Sequence, residues 1–291
     1  KAEQALPHYY RVYLADFDTT VEVTPTERAA MFRVTYPKAE QAWFVVDAFD
    51  KGSYVKVLPE QRKIVGWTTR NSGGVPANFK NYFVLVFDQP FASASVWRDK
   101  ELKEGVLELQ DNHVGALVQF VAPARGTRVH VRVASSFISP EQAEINLKEL
   151  GDDTFDALCE KGRAAWNQTL GRIAVEGGTL DQFRVFYTCL SRSLLFPRAF
   201  YEIDAAGNPV HYSPHTGEVQ PGYYFTDSGF WDTFRSLFPL LNFLYPSVNA
   251  KMTAGLEACY RESGWLPEWA SPGHRGCMVG NNSASVVADA W

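Results

Sequence analysis

Trp231, Asp232 and Arg235 place an indole, a carboxylate and a guanidinium in one short stretch, FTDSGFWDTFR at 225–235. Asp232 and Arg235 are three apart, so on a helix their heads can meet on one face. At a helix mouth such a group can hold vicinal hydroxyls, because the carboxylate accepts, the guanidinium donates and the indole stacks. The same spacing also fits an acid favoured by the helix dipole beside an ordinary ion pair, and both readings stand on chemistry alone. Asp227 lies in a turn just upstream, where it could cap the helix that follows.

A second stretch, GWLPEWASPGHRGCMVGNN at 264–282, carries Trp265 and Trp269 among prolines and glycines. That composition predicts a stiff loop with projecting aromatics, and loops joining helices commonly hold site residues. Glu268, between the tryptophans, is either a desolvated carboxyl suited to acid catalysis or a solvent-facing, hydrogen-bonded one. His274 reads as a loop histidine rather than a base. NSGGVP lacks a phosphate-loop spacing. Asn167 and Asn281 head glycosylation sequons of the kind that recur by chance. No HExxH, GxSxG or calcium-loop pattern occurs.

Composition limits the classes available. The 291 residues carry a net charge of −5 without a basic run, which argues against a nucleic-acid footprint. No apolar stretch approaches the ~20 residues of a membrane span. Aromatics make up 14% of the chain, which suits either stacking on sugars or a large core. The 4 cysteines, Cys159, Cys189, Cys259 and Cys277, are far apart and lack CxxC or zinc spacing. They read as buried free thiols, with a disulfide left open. No signal peptide is evident, but the opening KAEQALPHYYRVYLADF is already strand-like, so a leader could have been lost with upstream sequence.

The elements that must position these residues change in kind along the chain. Residues 1–138 alternate in short strands: VEVTPTERAAMFRVTY around a Thr-Pro turn, AWFVVDAF, the hairpin YVKVLPEQRKIVGWTTR, then NYFVLVFDQPF, GALVQFVA and RVHVRVASSF. Many short strands with turn residues between them predict an antiparallel β-sandwich. Near Ser139 the period becomes helical. SPEQAEINLKEL opens with Pro140 in the first turn, and TFDALCEKGRAAWNQTLGRI follows, giving connector helices over 139–175. From 176 to 291, LDQFRVFYTCLSRSLLF, GFWDTFRSLFPLLNFLYP, NAKMTAGLEACYRESG and NNSASVVADAW predict further amphipathic helices. The fold class is thus α+β multidomain, and a chain that starts in a strand and stops within a helix is expected to be part of a longer protein.

YYFTDSGFWDTFRSLFPLLNFLYP and SGWLPEWASPGHRGCMVGNNSASVVADAW together resemble the family-92 glycoside hydrolases, bacterial exo-acting α-mannosidases. That family's Tyr-x-x-x-Ser-x-Trp-Asp-Thr-x-Arg block is matched with Gly229 and Phe230 standing between Ser228 and Trp231. Gly-Trp-Leu-Pro, Cys-Met-x-Gly and an Ala-Asp-Ala helix follow in order. ALPHYYRVYLADFDTTVEVTPTERAAMFRVTYP is similar to the family's N-terminal strand pair. The likeness covers nearly the whole chain.

The resemblance implies a β-sandwich followed by the first helices of an (α/α)6 barrel, with inverting, calcium-assisted hydrolysis of terminal α-mannosides, α-1,2 favoured, of mannan or N-glycans. It implies that Trp231, Asp232 and Arg235 contribute to the sugar pocket, with Trp265 and Cys277 as weaker candidates. Asn281 and Asn282 stand where the family often shows Asp-His. The family's general acid, general base and most calcium ligands lie in motifs beyond these residues, so no catalytic residue is expected in this chain. The expected partners are the mannoside glycan and the remainder of the catalytic domain or a companion chain. The expected location is periplasmic, secreted or surface-anchored in a bacterium. Two other readings compete: a non-catalytic carbohydrate-binding or assembly module, and another sandwich-plus-helical-barrel glycosidase or phosphorylase.

Overall fold

Alternation along the early strands is reproduced as a two-faced sheet in the computed structural model, which describes residues 3–291. The strand-like opening read from Lys1 therefore begins, at Lys1 and Ala2, outside the described residues. Thirteen strands form two antiparallel sheets. They are β1 (Glu3–Leu6), β2 (Tyr9–Leu14), β3 (Thr19–Pro25), β4 (Ala29–Tyr36), β5 (Ala39–Asp47), β6 (Ser53–Leu58), β7 (Lys63–Thr68), β8 (Asn81–Phe87), β9 (Ser93–Arg98), β10 (Glu101–Lys103), β11 (Glu108–Asp111), β12 (Val114–Ala122) and β13 (Thr127–Ser136). One sheet has the order β1-β2-β3-β4-β13-β8-β7-β6-β11 and the other β10-β9-β12-β5.

Along β6, Ser53, Val55 and Val57 are buried while their neighbours are only partly covered, the period-2 pattern of a strand with one face in a core. Val55, Val57, Ile64, Phe87, Val129 and Val131 of the larger sheet cluster with Val96, Val118 and Phe120 of the smaller. Both sheets thus turn apolar faces to one core, which makes the sandwich. β9, β10 and β11 were not expected: charged residues dilute the alternation of β10 and β11, and small polar ones that of β9.

Two helices follow. α1 (Pro140–Leu147) is capped by the Ser139 hydroxyl, which accepts from the Gln142 N–H at 3.1 Å. Ala143 of α1, with Phe155 and Leu158 of α2 (Phe155–Leu170), packs into a second cluster with Met31, Val84 and Ala134 of the large sheet. A polar tie reinforces this packing. Arg33 grips Glu22 bidentately, Nε to Oε2 and Nη2 to Oε1, both at 2.7 Å. The Tyr9 hydroxyl donates to Oε1 at 2.6 Å, and Arg33 reaches Asp156 of α2 at 2.8 Å. The guanidinium also lies over the Phe155 ring.

Contacts divide the chain into two compact units: Lys1–Arg70 with Lys80–Trp166, and Asn71–Phe79 with Asn167–Trp291. The Gly- and Pro-rich loop at 71–79, inside the strand region of the sequence, thus belongs to the second unit. That unit begins its ordered elements with α3 (Leu180–Ser193), whose start is closed by reciprocal bonds between Thr179 and Gln182. Phe183, Phe186, Tyr187 and Leu190 form the covered face of α3, whereas Leu180, expected on that face, is 63% exposed at the first turn.

Short strands then intervene that periodicity did not predict: β14 (Arg198–Ala199), β15 (Tyr201–Ile203), β16 (Pro209–Tyr212), β17 (Val219–Pro221), β18 (Phe225–Thr226) and β19 (Ser228–Gly229). The single helix expected over GFWDTFRSLFPLLNFLYP is two, α4 (Phe230–Thr233) and α5 (Leu237–Leu244). Pro239 has no N–H to give to Arg235 and would crowd that carbonyl, so the helix must restart. α6 (Pro246–Ser263) ends at Gly264, whose left-handed φ of 80° lets its N–H close on the Tyr260 carbonyl at 2.7 Å. β20 (Trp269–Ala270) and α7 (Asn282–Ala290) complete the chain. Phe230, Phe238, Leu241, Met252, Leu256 and Val286 form the core of the second unit. No helix among the described residues is long and apolar enough to cross a membrane.

The Glu22 pair gives a pH test. The Arg33 guanidinium holds the Glu22 carboxyl below its ordinary value of 4.5, against the opposing push of burial. A lowered folded-state value contributes stability above pH 4.5 that is lost as pH falls through the lowered value. Replacing one partner strands the other, so Glu22→Gln is expected to cost about 2–3 kcal/mol at pH 7. Chemical denaturation at stepped pH should show the wild type approaching the variant below pH 4.5. A constant gap across that range would contradict this.

Candidate functional site

Two residues on each side bring the two chemistry-bearing stretches together. β19 pairs with β20, Ser228 opposite Ala270 and Gly229 opposite Trp269, and the Phe230 N–H donates to the Glu268 carbonyl at 3.2 Å. The space at Gly229 is the controlling detail. A Cβ there would stand 2.9 Å from Trp269 Cδ1, 3.1 Å from Asp232 Oδ2 and 3.2 Å from Trp269 Nε1. The Asp232 carboxylate and the Trp269 indole therefore flank one spot, open only because residue 229 has no side chain.

The i,i+3 spacing lets Asp232 and Arg235 meet as a pair, but in the structure they do not. Arg235 turns back, donating from Nη1 to the Trp231 carbonyl at 2.9 Å, with its guanidinium 4.7 Å from the Trp231 ring centroid and 4.6 Å from that of Phe234. α4 is a single turn, so the i,i+3 geometry of a longer helix does not extend to Arg235. No ion pair joins the two among the described residues. Asp232 is left exposed, and Trp231 is 44% exposed beside it.

Asp227 does not cap α4 either. Gly229 is the N-cap residue and no side chain closes that end. Asp227, at a positive φ of 60°, instead pairs with Arg198 and accepts from the Ser271 hydroxyl at 2.7 Å. It thereby ties the approach to α4 to the loop after β20. The other end of that loop is held by Arg275, which donates to the Ser271 carbonyl at 3.0 Å and to Ser72 at 2.6 and 2.9 Å.

The weaker candidates lie apart from this spot. Trp265 is 75% exposed and Cys277 is exposed, and no described contact joins either to Asp232 or Arg235. Glu268 is half-buried and contributes its carbonyl to the ladder. Asn281 accepts from the Ser283 hydroxyl at 3.3 Å, and Asn282 donates to the Val279 carbonyl at 3.1 Å, both local loop contacts. Trp269 is the residue that motif reading passed over. Its signal was a Trp in a rigid loop, but its partner lies forty positions away and only the ladder reveals it.

All 4 cysteines are free. The expectation that they are buried is met only by Cys259, since Cys189 and Cys277 are exposed and Cys159 is half-covered. Around Cys259 the environment is strongly desolvated. Burial, with the neighbouring His274 adding to it, holds His215 down to about 4, and burial lowers His274 as well. Burial also pushes the Cys259 thiol and the Tyr224 hydroxyl up.

A calcium ion needs six to eight oxygen ligands. The one group of three or more His, Cys, Asp or Glu side chains converging among the described residues is His215, Cys259 and His274, which offers nitrogen and sulfur. These residues do not fit calcium.

Residues 1–136 match the glycosyl hydrolase family 92 N-terminal domain, and residues 142–291 the glycosyl hydrolase family 92 catalytic domain. No curated protein sequence matches the chain. Among solved structures, the chain is similar to an inverting mannosidase of family GH92 from Bacteroides thetaiotaomicron VPI-5482. The identity is 46% and the TM-score 0.97, covering 100% of this chain and 39% of that one. It is also similar to a GH92 α-mannosidase of Bacteroides thetaiotaomicron solved with mannoimidazole, at 27% identity and a TM-score of 0.90, covering 99% of this chain and 39% of the other. The chain thus spans about two-fifths of the length of these relatives. By both domain matches and the 46% identity, this chain belongs to glycosyl hydrolase family 92.

Proposed function

We propose that the protein carrying this chain is an exo-acting α-mannosidase that hydrolyses terminal α-mannosides with inversion, α-1,2 linkages favoured. The observation that carries this reading is the exposed Asp232 carboxylate beside Trp269, in a chain 46% identical to an inverting mannosidase. Inversion uses one carboxylic acid to protonate the leaving oxygen and a second carboxylate to activate water, roughly 6.5–9.5 Å apart. We assign both to polypeptide beyond these residues.

The role of this chain is to grip the sugar. Asp232 accepts from sugar hydroxyls. Arg235 has five N–H donors, of which the Trp231 carbonyl takes one, and the others can donate to the same ring. The Trp269 and Trp231 indoles offer apolar faces to the pyranose and help to exclude water. Positioning of this kind contributes to catalysis by fixing the reacting carbon against the acid and the water. Trp265 and Cys277 are assigned, more distantly, to the loop bordering the pocket.

The family resemblance supports a calcium dependence, with the ligands outside these residues. It likewise supports a periplasmic, secreted or surface-anchored bacterial protein. The remainder of the catalytic domain, or a companion chain, is proposed to cover apolar groups that the second unit leaves open: Phe243 is 84% exposed, Val185 64% and Leu180 63%. Uncovered, such surface forfeits about 25 cal/mol per Å² of burial.

Three outcomes follow. In the longer protein, Asp232→Ala should lower kcat/KM on α-1,2-mannobiose by about 10²-fold, on the order of 3 kcal/mol, with melting temperature nearly unchanged. Mannoside binding without turnover in the unaltered longer protein would favour the binding-module reading instead. Chelation with EGTA should abolish mannose release and added Ca²⁺ restore it, and full activity in chelator would reject the calcium assignment. Residues 1–291 alone should self-associate in sedimentation velocity, whereas a clean compact monomer would count against a covered helical face.

A further inference from the structure

Sequence spacing held no zinc pattern, yet the fold gathers one. His215 follows β16, Cys259 lies on the buried side of α6, and His274 lies in the loop after β20. The Nε2 of His215 is 3.4 Å from Cys259 Sγ, and the Nε2 of His274 is 4.0 Å from it. The three ligand atoms all lie within 4.8 Å of one another. The rings stand 4.7 Å apart, centroid to centroid. We propose that His215, Cys259 and His274 form a binding site for a borderline-soft divalent cation of the zinc class, separate from the mannoside pocket and from any calcium.

Zinc bonds of about 2.3 Å to sulfur and 2.0–2.1 Å to nitrogen set tetrahedral S···N separations of about 3.6 Å. The observed 3.4 and 4.0 Å bracket that value, and with all three ligand atoms within 4.8 Å of one another an inward movement of the His274 loop brings the two nitrogens onto one ion. Thiolate and imidazole select this ion class over calcium, which prefers oxygen. An oxygen donor takes the fourth position. Tyr224 Oη, 2.9 Å from His215 Nε2, and Ser263 Oγ, 2.9 Å from His274 Nε2, line that side.

Protons balance simply and no electron moves. The Cys259 S–H gives its proton to solvent water as the thiolate binds the cation. Ser263 sits as an acceptor for His274 Nε2–H, so this ring exchanges its proton to Nδ1 and turns an Nε2 lone pair to the metal. His215 binds as its Nδ1–H tautomer, its Nε2 exchanging the 2.9 Å contact with the Tyr224 hydroxyl for the cation. The surrounding polar groups are already arranged: His211, fully buried, is held by the Gly222 carbonyl at 3.0 Å and by Glu262 at 2.9 Å, and its ring lies 4.8 Å from that of Tyr224. Tyr224, packed against that ring, is the group that contacts the ligand His215, and partners of this kind fix ligand orientation at metal centres.

The consequence is a clamp. Such an ion would join the turn at His215, α6 and the loop at His274. That loop is the one whose start carries Trp269, so metal loading would stiffen one side of the proposed sugar pocket without touching the sugar.

The experiment titrates Co²⁺ into the longer protein with Cys159, Cys189 and Cys277 replaced by Ser, leaving Cys259 as the one cysteine of this region. A thiolate-to-cobalt charge-transfer band saturating at one ion per chain is expected. Zn²⁺ should bleach it and excess Ca²⁺ should not. His274→Gln should weaken Co²⁺ binding at least tenfold. No band from a protein with an intact circular dichroism spectrum, or a band unchanged by His274→Gln, would overturn the site. Should the triple Ser variant not fold, an anomalous difference map at the zinc edge from crystals of the unaltered protein decides. A peak among the three side chains supports the site, and none there refutes it. Neither readout involves mannoside turnover, so failure here is distinct from failure of the α-mannosidase reading.

Discussion

The approach of the Trp269 indole to the bare backbone of Gly229 is the constraint on which the candidate site depends. A methyl group at residue 229 would meet Trp269 Cδ1 at 2.9 Å, closer than packed atoms tolerate, and would crowd the Asp232 carboxylate at 3.1 Å. Gly229 has an ordinary φ of −99°, so its freedom of rotation is not what matters. What matters is the missing Cβ. It lets the two-residue ladder close, and the ladder carries a Trp from one stretch to an Asp from another.

Other contacts in the second unit act in support of that closure. Asp227 fastens Arg198 and Ser271 at one end of the loop, and Arg275 fastens Ser72 at the other. α5 restarts at Leu237 because Pro239 forbids continuation, leaving α4 as one turn with Asp232 at its surface. The break leaves the carboxylate unpaired toward solvent, where a hydroxyl-bearing ligand can reach it.

Much of this was legible in the residues. β3, β4, β6, β7, β8, β12 and β13 follow alternation that any half-buried strand must show, and Ser139 with Pro140 announces α1. β10 and β11 were hidden because exposed edge strands carry charges such as Glu101, Lys103, Glu108 and Asp111 that erase the period, and β9 because its Ser-Ala-Ser start offers no apolar alternation. β14 to β19 were hidden because strands of two to four residues are too short for a pattern. At the site, Trp231, Asp232 and Arg235 stood out by type and by family likeness, whereas the Trp269 contact was not readable. Local spacing reports neighbours along a helix, and Gly229 and Trp269 meet through a ladder between distant segments. The same reasoning explains the histidines and Cys259, which are scattered in sequence and gathered only by tertiary packing.

A crystal structure of the longer protein with mannoimidazole bound tests the central claim most directly. The account predicts the ring within hydrogen-bond reach of the Asp232 carboxylate, with the Trp269 indole against it. A ring bound elsewhere, with Asp232 and Trp269 in contact with water alone, would contradict it.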